Sequence, residues 1–103
     1  MKALNIVKFI SEATLGFDNW LRCIDEAETY EKAKRNGYAA MGFLDCMIDF
    51  LNCANCMEED LNELLDEWEA EIYQRMAIKA DQTHQSPDLV ISLFKKRDNA
   101  RNG

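Results

Sequence analysis

Apolar residues recur along this chain at helical spacing, and most strongly between Met57 and Ala80. On a helix, Leu61, Leu64, Leu65, Trp68, Ile72 and Met76 share one side, while Glu59, Asp60, Glu63, Asp66, Glu67 and Glu71 gather on the other. The pattern predicts a long amphipathic helix with an acidic outer face. Before it, Tyr38 to Asn55 is apolar around most of a helical circumference, with only Asp45, Asp49 and Asn52 forming a polar line. Such a helix needs cover on nearly every side, so it is expected at the centre of a bundle with the acidic helix antiparallel to it. Asn52-Cys-Ala-Asn-Cys56 between them reads as a hairpin turn, the alternative being one kinked rod.

The remaining elements follow from stop and start signals. Leu4, Val7, Ile10 and Leu15 suit a helix over residues 2–15 ending at Gly16, although the alternation Leu4, Ile6, Lys8, Ile10 also fits a short strand. Asp18 is a candidate N-cap for a second helix, with Trp20, Leu21, Ile24, Ala27 and Tyr30 on one face, running to about Asn36 and stopped by Gly37. After a polar loop at residues 81–85, Ser86 as N-cap and Pro87 at the first helical position open a short helix carrying Leu89, Val90, Leu93 and Phe94. Residues 95–103 are polar and basic and are expected to fray. The expected fold is all-α: a compact bundle of four to five helices in a single domain over residues 1–94, followed by the tail.

Composition supports this class. One Pro and four Gly in 103 residues are too few for an all-β chain with many turns, and 48% hydrophobic content is globular. Asp45 and Asp49, in the middle of the most apolar run, argue against a membrane span. Asn5 and Lys8 interrupt the apolar N-terminal stretch, which argues against a secretory signal. Four cysteines at irregular spacing resemble no secreted disulfide framework, so reduced thiols and a cytoplasmic location are expected.

Charge changes the picture most. Of 19 carboxylates, eight lie between Glu58 and Glu71 with no Lys or Arg among them. The rest of the chain, 12 basic against 11 acidic residues, is near neutral, so the net charge of −7 is local. Acids at a helix N-terminus gain from the exposed amides, which accounts for Glu58 to Asp60. The series Glu59, Glu63, Glu67, Glu71 has no such account, because each like-charge i,i+4 pair costs roughly 0.2–0.5 kcal/mol. A solvated face is the plainer explanation; a docking face for a basic partner is the sharper one.

The chemistry available is limited. Cys53-x-x-Cys56 is one short pair, where a structural zinc site draws on two, and the acids beside it disfavour a thiolate. No metal or other cofactor is expected. His84 lies in a polar loop without a neighbour suited to base or ligand work. Glu59-Asp-Leu-Asn-Glu63 resembles in spacing the metal-binding helix of all-α magnesium-dependent nucleotide pyrophosphohydrolases, but no second helix of this chain carries the E-x-x-D element that faces it there. Direct nucleic-acid binding is disfavoured by the charge. The sequence therefore points to a non-enzymatic, small acidic inhibitor of anti-CRISPR, nuclease-immunity or antitoxin type, classes found in viruses and mobile elements. In this reading Glu59, Asp60, Glu63, Asp66, Glu67 and Glu71 imitate phosphates and occlude a basic, nucleic-acid-binding surface of a partner protein. The alternatives are the pyrophosphohydrolase and a self-associating helical module, which leaves a homodimer open.

Overall fold

The computed structural model describes residues 5–85, Val90, Lys95 and Lys96. Among them the chain forms three long helices, α1 (Ile6–Glu26), α2 (Tyr30–Cys53) and α3 (Glu59–Gln82), in place of the four to five expected. The all-α class holds. Of the expected helix at Ser86–Phe94, only Val90 lies among the described residues; it is helical and buried in the core. Lys95 and Lys96 are helical and exposed.

The lower count has a physical reason. Gly16 and Gly37 do not stop helices, and Asp18 does not start one: α1 runs through Gly16 and Asp18, and α2 through Gly37. Neither glycine adopts the positive φ of a helix C-terminus. Both instead admit a side chain from a neighbouring helix. A Cβ on Gly16 would lie 3.2 Å from Phe43 Cζ, and one on Gly37 would fall on the Met76 side chain, with Cγ and Cε at 3.1 Å. The break comes later, at Ala27 to Thr29, where both ends are extended and Thr29 Oγ1 accepts from Lys32 N–H at 3.2 Å. At the start of α1, Asn5 Oδ1 caps Lys8 N–H at 3.1 Å, and residues from Ile6 onward are helical, not a strand.

The turn between α2 and α3 is a hairpin, as the paired asparagines predict. Asn55 takes φ 56°, and Cys56 N–H reaches back to Leu51 O at 2.9 Å. This is a helix stop of the Schellman kind with Asn in the left-handed position. His84 repeats the device at the end of α3, with φ 64° and Gln85 N–H on Ala80 O at 2.7 Å.

Short connections make neighbours antiparallel, so α1 and α3 run parallel to each other and opposite to α2, and all three pack against one another. Phe9 stacks on Phe50, Gly16 meets Phe43, and Asn36 Nδ2 donates to Cys23 O, each contact one heptad along both helices from the last. Between α1 and α3, Phe17 and Trp68 stack with centroids 4.5 Å apart and planes 7° from parallel. The core is filled by Phe17, Ile24, Leu44, Leu51, Leu65, Ile72 and Met76. The Tyr38–Asn55 segment does pack against the other two helices, but it is not covered all round. Tyr38 and Phe50 stay 51% and 46% exposed, because three helices cannot enclose one of their own number.

Candidate functional site

Five of the six carboxylates singled out from the sequence, Glu59, Asp60, Glu63, Asp66 and Glu67, are exposed on the first turns of α3, with Glu58 beside them as the N-cap residue. None of these five makes an ion pair or hydrogen bond through its side chain among the described residues. They cover a rise of roughly 12 Å, or one charge per roughly 3 Å, against roughly 3.4 Å per phosphate along one nucleic-acid strand. Beyond Glu67 the outward positions become neutral, with Ala70, Gln74 and the 49% exposed Ile78. The acidic surface is thus a compact patch at one end of the bundle.

Glu71 is set apart from this group. Its carboxylate accepts from Arg75 Nε at 2.8 Å, and Arg75 also pairs with Asp25 of α1. Lys79 Nζ donates to Asp25 O at 2.7 Å. The grouping answers a need of α1, whose last turn carries no basic residue of its own while its final carbonyls lack helical partners. Lys79 satisfies Asp25 O, Asn36 satisfies Cys23 O at 3.0 Å, and Ala27 N–H turns back to Ile24 O. The bond from Glu71 is the main cause holding the Arg75 guanidinium above its already high ordinary value, with Asp25 adding to it. Glu71 therefore works in the seam between α3 and α1.

Glu69, an eighth member of the acidic run, is buried at 7% exposure and engaged within the protein. It could have been read from the sequence: Glu69 lies four residues after Leu65, three before Ile72 and seven before Met76, on the core-facing side. Leu61, Leu64 and Trp68 share the apolar side but are only half-buried, Leu61 and Trp68 packing against the edge of the core.

The other candidates are dispersed. Asp45 is half-buried and engaged, while Asp49 and Asn52 are exposed on α2. All four cysteines are free thiols, and Cys56 Sγ lies 3.3 Å from Ala54 O. Among the described residues no three His, Cys, Asp or Glu side chains converge as metal ligands would. Nor is any helix among them long and apolar enough to cross a membrane. At the far end of the bundle, Tyr30 is buried at the start of α2, and its hydroxyl has no hydrogen-bond partner among the described residues. Burial, and then the charges of Tyr38 and Glu31, raise its pKa above the ordinary value.

Comparison with protein-family models gives no match, and comparisons with curated proteins and with solved structures give no significant match either.

Proposed function

We propose that the chain is a small protein-binding inhibitor, of the anti-CRISPR, nuclease-immunity or antitoxin kind, which presents the N-terminal half of α3 as a phosphate mimic to a basic, nucleic-acid-binding surface of a partner protein. The observation that carries this reading is the patch Glu59, Asp60, Glu63, Asp66 and Glu67, exposed on a long helix and without a cation partner among the described residues. A helix holds such charges at fixed spacing, so a groove shaped for phosphates meets them already ordered, with little entropy lost on docking. Long-range attraction between an acidic patch and a basic groove accelerates encounter and disfavours acidic partners. Glu71, bound to Arg75, contributes to the scaffold and is left out of the contact surface proposed here.

The test is affinity capture from a lysate of the source organism, at low and high salt, beside a Glu63→Lys, Glu67→Lys chain. The reading requires one basic nucleic-acid-binding protein that is captured at low salt, released at high salt and lost with the double reversal. That protein must also lose its nucleic-acid binding when the wild-type chain is added. Association should slow severalfold in the reversed chain. Capture indifferent to the reversal, or a partner whose nucleic-acid binding is unaffected, rules the reading out.

A further inference from the structure

A second surface lies on α2, away from the acidic patch. Arg35, Tyr38, Gly42, Cys46 and Asp49 follow one another at steps of three and four residues, and all are exposed. Tyr38 leaves half its area in solvent, and a Cβ placed on Gly42 would meet nothing within 4 Å. Arg35 and Asp49 have no ion-pair or hydrogen-bond partner among the described residues.

We propose that this face is where two copies of the chain associate, α2 packing antiparallel against α2 of the second copy about a two-fold axis at Gly42. The charges argue for this arrangement. Arg35 precedes Gly42 by as many residues as Asp49 follows it, about two helical turns or roughly 10 Å in each direction. A two-fold axis at Gly42 therefore sets Arg35 of each copy against Asp49 of the other, giving two opposite-charge pairs from one symmetric contact. A parallel pairing would align Arg35 with Arg35 and Asp49 with Asp49, so repulsion selects the antiparallel form.

The uncharged positions agree with the same axis. Tyr38 falls against Cys46 of the second copy, a ring and a polarizable sulfur that pack favourably. Gly42, with no side chain, and the half-buried Ala39 beside it let the two backbones approach where they cross. About four turns of one helix bury less than the roughly 800 Å² per partner of a standard interface, so the dimer is expected to form in the micromolar range or weaker. The acidic turns of α3 lie outside this stripe, so the inference stands or falls independently of the inhibitor reading.

Sedimentation velocity from about 1 μM to about 1 mM covers the expected range. The wild-type chain should pass from monomer to dimer as concentration rises. Arg35→Glu and Asp49→Arg should each weaken the dimer at least about tenfold, since every substitution acts twice in the symmetric contact, and combining them should restore it. Far-UV circular dichroism establishes that each variant remains helical. Independently, Gly42→Cys in a Cys46→Ser, Cys53→Ser background, oxidised with diamide, should give a disulfide-linked dimer on a non-reducing gel above the level of the background chain. A chain that stays monomeric throughout the range overturns the proposal. So does a dimer that survives the charge reversals unchanged, or one that fails to crosslink through position 42.

Discussion

Gly37 of α2 lies directly under Met76 of α3, so close that even a methyl group at 37 would overlap the methionine side chain. The contact sets how nearly the two helices approach at the level of the last turn of α1, where Asn36 meets Cys23. Gly42, five residues on along the same helix, faces open solvent. The two positions therefore separate what glycine does for a helix from what it does for packing. Gly37→Leu should destabilise the fold by about 2 kcal/mol, because an overpacked core forces side chains off their rotamers. Gly42→Ala should stabilise it by about 0.5–1 kcal/mol through helix propensity alone. Urea unfolding of both variants, at concentrations where the chain is monomeric, reads the difference; a Gly37→Leu midpoint above wild type would contradict the packing account.

Tyr30 gives the fold an alkaline limit. In the folded chain burial holds the phenol above its ordinary value of 10.0, so the unfolded chain gives up this proton first. Its contribution to stability is complete below pH 10 and declines as pH rises through the folded-state value. Tyr30→Phe removes both the titration and a buried hydroxyl that has no hydrogen-bond partner among the described residues. The variant should match or exceed wild type by up to about 1 kcal/mol at neutral pH, and its melting temperature should fall less steeply above pH 10. Equal slopes in the two chains would place the alkaline transition elsewhere.

The Glu71–Arg75–Asp25 group joins the C-terminal half of α3 to the last turn of α1. These side chains are between a third and a half exposed, so screening keeps the contribution small. Arg75→Ala should cost about 1 kcal/mol, more at low than at high salt. Lys79→Ala should add a smaller loss, since it leaves Asp25 O without its donor. Because the residues share partners, the double variant should fall short of the sum, which a thermodynamic cycle measures directly.

Trp68 on Phe17 is the one ring stack among the described residues that links α1 to α3, helices without a direct connection in sequence. Trp68→Ala removes that contact and a large half-buried surface, and should cost about 2–3 kcal/mol. Near-UV circular dichroism should lose intensity while far-UV helix content stays close to wild type below the transition. Unchanged stability would show that α1 and α3 are held together by the core aliphatics and the Arg75 pairs.

Much of this protein was legible in the order of its residues. The period of Leu61 to Met76 dictates a helix, the sign of Glu59 to Glu71 dictates which side meets water, and Asn55 marks the hairpin because asparagine tolerates the left-handed conformation that a helix stop requires. These are local properties, determined by spacing and by each residue's own backbone preferences. What Gly16 and Gly37 do is not local: an isolated chain gives the same conformational freedom to a glycine that ends a helix and to one that receives a ring, and only the presence of Phe43 or Met76 separates the two. For the same reason Thr29 caps α2 where Asp18 caps nothing. The choice between two capable N-caps falls to the one whose break lets Phe17, Leu21 and Ile24 remain on a single continuous buried face. The helical period itself puts Glu69 on the core side and Glu71 one turn before Arg75, while tertiary packing carries that pair across to Asp25 of α1. The sequence determined how much charge the helix carries. Where α3 is tied to α1 was decided by the tertiary structure, which alone brings Asp25 within reach of Arg75 and Lys79.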